Sequence, residues 1–468
     1  MSRINTNVTS LIAQRVLRKN NNTLSTSLER LSTGLKINRG SDNPAGLIAS
    51  ENLRSEKAGI TKAIDNAERA SNIIGTAEGG LGEISALLVE LQDLVSEAAN
   101  SGGLSTEEVE ANQLQVDSIL NTINRIAQST SFQGIKLLNG NYAYTTSGVS
   151  TTNFSNVRVN SVRLPDNAAV NVVVAVTQSA QTATLGYTGG NLAANNPVTI
   201  EIAGNKGTEQ ISFAGGTTVA NMVTAINAVK ASTGVSASTS GTDLRLDSTE
   251  FGARQYVSLT TISGTFVPTK AIDYGRDASV TINGATAQAD GLSLSYRSST
   301  LDIEIDLKAA FNTAGNDNFY ITGGGATFAL GSKVTETDKA SVGIQSVTTG
   351  TLGTNGLGFL SSLGSGQTNS LASDNLVTAQ KIVDKAIKQV SQLRGRLGAF
   401  QKFTIGSTVN SLGVALENAS AAESAIRDTD FAEETASLTR AQILSQAATT
   451  VLAQANASPQ NALALLRG

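Results

Sequence analysis

Residues 53–98 read LRSEKAGITKAIDNAERASNIIGTAEGGLGEISALLVELQDLVSEA, and their spacing decides how the rest of the chain is read. Leu53, Ile60, Ala67, Ile74, Leu81, Leu88 and Val95 recur every seven residues. Ala63, Ala70, Ala77, Ile84, Leu91 and Ala98 repeat the pattern three places on. Two apolar series in that register share one seam of a helix, the a and d positions of coiled-coil packing. At 1.5 Å per residue, the span predicts a helix on the order of 70 Å long. A stripe of that length needs partner helices along its whole extent.

The flanking sequence supplies them. Gly102-Gly103 breaks the pattern, and Ser105 with Glu108 forms a capping box for a helix carrying Val109, Val116 and Ile123. Far downstream, Leu376, Val383, Val390 and Leu397 are again seven apart, with Ala379, Ala386, Leu393 and Phe400 beside them. After a disturbance expected at Phe403-Thr404, the series resumes at Ile405, Leu412, Ala419 and Ile426. The bundle seam is therefore assigned to Leu53, Ile60, Ile74, Leu81, Leu88, Val95, Val383, Val390 and Leu397.

The two ends carry narrower stripes. From about Asn5 to Thr33, Leu17, Leu24 and Leu31 form a heptad series with Leu28 beside it, and Asn20-Asn21-Asn22 weakens the centre. From Phe431 to Ala457, Leu438, Leu444, Val451 and Leu452 stand among many alanines, and Pro459 is expected to close the helix. Ordering a residue costs about 1–2 kcal/mol of backbone entropy, which such stripes do not recover alone. These eight apolar residues are therefore assigned to packing between subunits, with tails that order on assembly.

The texture between these regions differs. From about Gly148 to Leu360, Gly, Ser, Thr and Asn replace charge, and alternation replaces heptads. Val198–Ile202, Ile211–Phe213, Leu244–Leu246, Val280–Ile282 and Leu301–Ile305 read as half-buried strands, and Val219–Lys230 as one helix. Asn139-Gly140 is a hairpin signal. The expected fold is α+β and multidomain: a long antiparallel helical coiled-coil bundle from both terminal regions, with an inserted β-rich middle. The expected divisions are residues 1–44 and 428–468 as tails, 45–165 and 344–427 as bundle, and 166–343 as one or two inserted domains.

Composition narrows the function. The formal net charge is −4 and 15% of residues are charged, so no bulk field points to nucleic acid or an anionic membrane. With no His and no Cys, the chain has no material for a His/Cys zinc site or a His-based triad. Gly204-x-x-Gly207 and Gly323-Gly324-Gly325 lack Walker spacing and read as turns. Asp428 and Asp430 read as helix caps rather than metal ligands. No apolar run of membrane-spanning length and no signal-peptide pattern is present. A structural protein, without catalytic, cofactor or metal residues, is the expectation.

Three stretches bear a resemblance. Thr33–Asn38 running into Asp42–Leu47, Thr130–Leu138, and the C-terminal Asp428–Glu434, Arg440–Leu444 and Val451–Gln460 resemble the signatures of bacterial flagellins. Gly204–Phe213 and Asp273–Gly284 are similar to a small β motif of flagellin and hook-protein inserts. The resemblance implies a secreted subunit that polymerises into an extracellular filament for motility, its tails in the filament core and its middle outward. It further implies export through the flagellar apparatus, an export chaperone at the C-terminal region, and cap and junction proteins as partners. A hook–filament junction protein is the alternative within the same apparatus. Flagellins detected by the vertebrate innate receptor carry an Arg where this chain has Glu90. Leu94 is kept, and Gln115 replaces a Glu on the antiparallel helix. Charge reversal there implies weak or absent receptor activation.

Overall fold

The computed structural model describes residues 6–100, 103–165, 168–373 and 375–467, with side chains to residue 457. Among these residues are the helices α1 (Val8–Thr33), α2 (Pro44–Ala98), α3 (Thr106–Ser129), α4 (Val219–Ala228), α5 (Lys230–Thr233), α6 (Leu376–Ala399), α7 (Ser407–Arg427) and α8 (Phe431–Arg467). Antiparallel strands fill the chain between α3 and α6. Helical ends thus flank a β-rich middle. Two compact units result: one holds the chain up to Glu68, Leu330–Asp338 and the chain from Gly406, and the other holds Arg69–Ala329 and Lys339–Ile405.

In the first unit, local chemistry sets the helix boundaries. The Asn7 side chain accepts from the Ser10 amide at 3.1 Å and starts α1; Asn5 lies outside the described residues. Gly34, at φ +74°, ends α1 in the left-handed conformation. The Lys36 amide then donates to the Arg427 carbonyl (2.7 Å) and the Thr429 amide to the Gly34 carbonyl (3.0 Å), clasping the two chain segments together. Asn43 Oδ1 accepts from the Gly46 amide at 2.9 Å, with Pro44 at the first helical position. Helix α2 therefore begins at Pro44, before the heptads do, and its 55 residues span about 82 Å. Lys57–Glu423 (2.8 Å) and Arg427–Glu51 (3.1 Å) ion pairs join α2 to α7. At Gly59 a Cβ would lie 2.6 Å from the Ser332 carbonyl oxygen, so the 330–338 loop rests on α2 where only glycine admits it.

The second unit contains the rest of the α2 seam, with α3 and α6. Ile74, Leu81, Ile84, Leu88, Leu91 and Val95 are buried, as are Val116 and Ile123 of α3 and Val383, Val390 and Leu397 of α6. Ser105 and Glu108 make the reciprocal capping box at the start of α3. Helix α2 stops at Ala98; Gly102 lies outside the described residues. Between Leu397 and Ile405, both buried, the spacing is eight rather than seven. A π-helical turn over Phe400–Gly406 winds in the extra residue, at the place where the disturbance was expected.

Two cores make up the β region. The first is a pair of sheets packed face to face. One sheet runs 285–286, 279–282, 170–178, 315–324, 144–147, and the other 288–290, 293–297, 301–307, 154–162. Val172, Val174, Val280, Phe319, Ile303 and Ile305 meet between them. Strands 144–147 and 154–162, which precede residue 166, belong to this core. The second core packs α4, through Val219, Met222 and Ile226, with two smaller sheets that contain strands 198–204, 207–213, 243–248 and 256–263.

Several local expectations need correction: Gly323 and Gly324 lie within strand 315–324 rather than in a turn, and Val219–Lys230 is divided between α4 and α5. The strands near residue 135 turn at Gln133-Gly134, not at Asn139-Gly140: Ser131–Phe132 pairs with Ile135–Lys136. Gln133 and Gly134 have φ +49° and +82°, the paired positive values of a tight hairpin. Asn139 instead accepts from the Asn141 amide (3.1 Å) in a local turn. Helix α8 also continues through Pro459 to Arg467. A proline inside a helix removes one backbone hydrogen bond, and here the freed carbonyl finds another donor.

Candidate subunit-docking surface

Helices α1 and α8 lie antiparallel, and their most deeply buried residues are small or polar. Ser10, Ala13 and Ser27 of α1 and Glu434, Ala441 and Ala448 of α8 are buried. Glu434, Ala441, Ala448 and Ala455 are seven apart, so one face of α8 presents a carboxylate followed by three methyl groups to its partner. Polar bridges run along the pair. Asn7 Nδ2 donates to the Ala455 carbonyl (2.8 Å), and Ser10 Oγ to Asn456 Oδ1 (2.7 Å). Asn20 Nδ2 donates to the Leu444 carbonyl (3.1 Å), and Ser445 Oγ to Asn21 Oδ1 (2.7 Å). Arg30 pairs with the buried Glu434 at 3.5 Å. Asn20 and Asn21, which weaken the helix by propensity, thus tie it to α8. At the head of α8, Asp430 Oδ1 accepts from the Ala432 and Glu433 amides at 2.8 and 3.2 Å, so it is a cap.

A set of large apolar side chains on both helices is exposed. Val8, Leu11, Ile12 and Val16, at one-face spacing on α1, are exposed, Leu11 by 58%. On α8, Ile443 is 64% exposed, and Leu444 and Val451 are exposed beside it. Of the residues assigned to subunit packing, Leu28, Leu444 and Val451 are exposed, while Leu17, Leu24, Leu31, Leu438 and Leu452 are half-buried. Sequence reading missed Val8, Leu11, Ile12, Val16 and Ile443, and also the small-residue seam. The one-face spacing of the first four and the heptad of Ala441, Ala448 and Ala455 are the signals that mark them.

The bundle positions behave differently. Ile60, Ile74, Leu81, Leu88, Val95, Val383, Val390 and Leu397 are buried, and Leu53 is half-buried. Glu90 and Gln115 are exposed, whereas Leu94 is buried.

A polar cleft of about 560 Å³ lies on the outer face of the sheet containing 293–297 and 301–307, against Lys385 and Gln392 of α6. Its charges are largely matched: Arg158 pairs with Glu304 at 3.5 Å and Arg297 approaches Asp302 at 3.7 Å. Beside it, burial lowers the pKa of Arg396, and the carboxylates of Glu304 and Asp302 oppose that shift. Among the described residues, no group of three or more Asp or Glu has metal-binding geometry, and no helix is long and apolar enough to cross a membrane.

Paired end helices with exposed apolar residues are thus the distinctive feature of the terminal regions. Residues 4–143 match the bacterial flagellin N-terminal helical region, and residues 380–466 match the bacterial flagellin C-terminal helical region. Residues 199–250 match the flagellin hook IN motif, which takes in Gly204–Phe213 and leaves out Asp273–Gly284. Polar flagellin B/D of Vibrio parahaemolyticus is 30% identical over 464 residues, covering 99% of each chain. Flagellin of Salmonella typhimurium is 30% identical over 506 residues, again covering 99% of each. FliC of Burkholderia pseudomallei, a solved structure, aligns with 71% of this chain and 99% of its own at 16% identity, with a TM-score of 0.25. The chain belongs to the bacterial flagellin family.

Proposed function

We propose that this chain is the repeating subunit of a bacterial flagellar filament, and that the outward apolar faces of α1 and α8 pack against other copies in its core. The observation that carries the proposal is the burial pattern of the terminal pair, whose fully buried residues are small or polar while Val8, Leu11, Ile12, Val16, Leu28, Ile443, Leu444 and Val451 are exposed. Each such side chain is worth about 1.5–3 kcal/mol when moved from water to an apolar contact. Several per tail, repeated along a helical polymer, suffice to drive association. The role is structural rather than enzymatic.

In this reading residues 1–44 and 428–468 form the core tails and residues 45–165 and 344–427 the bundle beneath the surface, except that strands 144–147 and 154–162 belong to the β core they share with residues 170–324. Residues 166–343 face outward. Leu17, Leu24, Leu28, Leu31, Leu438, Leu444, Val451 and Leu452 contribute to the contacts between copies. The flagellar export apparatus, an export chaperone at the C-terminal region, and cap and junction proteins complete the set of partners, and the filament is extracellular.

Seeded polymerisation tests the proposal. Full-length chain extends short filament seeds, and a chain lacking residues 1–35 does not. Extension by both would remove the tails from the interface, and extension by neither would remove the filament role. The exposed Glu90 and Gln115 further imply that the purified monomer activates the vertebrate innate receptor weakly or not at all, and that Glu90→Arg raises the signal. Strong activation by the unchanged chain in a reporter-cell assay would overturn that part.

A further inference from the structure

In an uninterrupted α-helix each interior carbonyl accepts from the amide four residues on. Pro459 is the one proline in α8, and it has no amide to give the carbonyl of Ala455. That carbonyl accepts instead from Asn7 Nδ2 at 2.8 Å. The other end of the same amide, Asn7 Oδ1, caps α1 by accepting from the Ser10 amide at 3.1 Å. One turn into α1, Ser10 Oγ donates to Asn456 Oδ1 at 2.7 Å. The start of α1 is thereby bonded to the place in α8 where the sequence leaves an acceptor free.

We infer that Asn7 and Pro459 set the register in which the two tails pair, and that Asn7 is a positioning residue for assembly. The alanines of the seam do not choose a register; that falls to the polar bridges, of which Asn7–Ala455 stands at the proline. Ala441, Ala448 and Ala455 repeat every seven residues, and a slip of one heptad brings one alanine to the place of the next. Proline leaves the Ala455 carbonyl without its helical amide, so the Asn7 donor meets an acceptor with no competing helical donor in this alignment. Each one-heptad slip moves the outward stripe of α8 by about 10 Å relative to that of α1. The composite face offered to a neighbouring copy would then be broken.

The inference rests on the proposed filament role only for its assembly consequence, because both partners lie in one chain and register can be read with or without filaments. The chain has no cysteine, so introduced pairs report cleanly. Asn21→Cys with Ser445→Cys reads the register seen here, where those side chains are bonded at 2.7 Å. Asn21→Cys with Leu438→Cys, or with Leu452→Cys, reads a one-heptad slip in either direction. With Asn7 and Pro459 present, the first pair oxidises and the other two do not. Asn7→Asp keeps the helix cap and removes the donor. It lowers the 21–445 cross-link about fivefold, and a slipped cross-link appears. Pro459→Ala returns an amide to the Ala455 carbonyl and strengthens α8 as a helix, yet it loosens register in the same way. That outcome separates register from helix stability. An unchanged 21–445 cross-link in both variants would overturn the inference. So would loss of helix content in Asn7→Asp without any slipped product, if Pro459→Ala keeps the original pattern. Failure of the unchanged chain to extend seeds, with cross-links as expected, would count against the filament role and leave the register assignment standing.

Discussion

The α2 seam and the α1–α8 pair use one repeat to opposite ends. In both, residues recur at intervals of seven. Along α2 from Ile74 to Val95 the large side chains are buried against helices of the same chain, and the charged ones face out. In the terminal pair, alanine and serine are inside while Leu11, Ile443 and Val451 are in solvent. A heptad repeat therefore shows that a helix has a seam without showing which seam the chain completes by itself. The bundle closes within the monomer. The tail pair, held by polar bridges and small residues, keeps its best apolar surface for something else.

Truncation inside the closed seam carries the largest expected effect. Leu81→Ala, at a fully buried position, is expected to destabilise the monomer by about 2–5 kcal/mol, read by denaturant unfolding followed at helical ellipticity. Ile443→Asp on the exposed face of α8 should change that curve by less than about 0.5 kcal/mol and abolish seeded filament growth. If Ile443→Asp destabilised the monomer as Leu81→Ala does, or if it polymerised normally, the contrast between the two regions would collapse.

A smaller effect sharpens the bundle side. Gln389 Oε1 accepts from the Gly353 amide (2.9 Å) and Gln389 Nε2 donates to the Gly353 carbonyl (2.8 Å), all of it buried. Gln389→Leu leaves both backbone groups without partners, at a cost of about 1–3 kcal/mol each. Proteolysis within residues 344–373 should rise with it. If neither stability nor cleavage changed, the amide clamp would be incidental to the bundle.

The smallest effect is a pH dependence. Partial burial would raise the pKa of Asp117, but hydrogen bonds from the Ser365 hydroxyl and amide and from Gln113 outweigh it and hold the carboxyl below the ordinary 3.8. A depressed folded-state pKa means the stability it contributes is complete above the unfolded value. That stability is lost as pH falls through the lower folded value. Acid titration of unfolding free energy should lose one shallow step below about pH 4 in Asp117→Asn. An unaltered profile would remove Asp117 from the forces that hold the 365 loop.

Much of the helical architecture was legible because heptads are local and redundant. The position of the π-helical turn was legible too: the step of eight from Leu397 to Ile405 leaves one residue with nowhere else to go. The hairpin was misplaced because Asn139-Gly140 is the stronger turn dipeptide, while Gln133 takes a positive φ that its side chain does not advertise. Helix α8 was ended early for a similar reason. Proline does break a helical hydrogen bond, and nothing near Pro459 in sequence reveals that Asn7, at the opposite end of the chain, supplies the missing donor. The exposed apolar face was half visible: spacing picks out Leu28, Leu444 and Val451 and passes over Val8, Leu11, Ile12 and Ile443.

Sequence by itself determined that the chain has helical ends and a β-rich middle, that its longest helix needs partners along its length, and that no histidine or cysteine chemistry is open to it. Those conclusions follow from periodicity and composition, which are properties of neighbouring residues. Only the tertiary structure decided which face of each terminal helix is spent inside the pair, where α1 aligns on α8, and that the inserted region has two cores. The first two depend on residues hundreds of positions apart, such as Asn7 and Ala455, whose pairing is set by which acceptor is left free and which side chains are small enough to let two backbones approach; the third depends on strands paired across the insert.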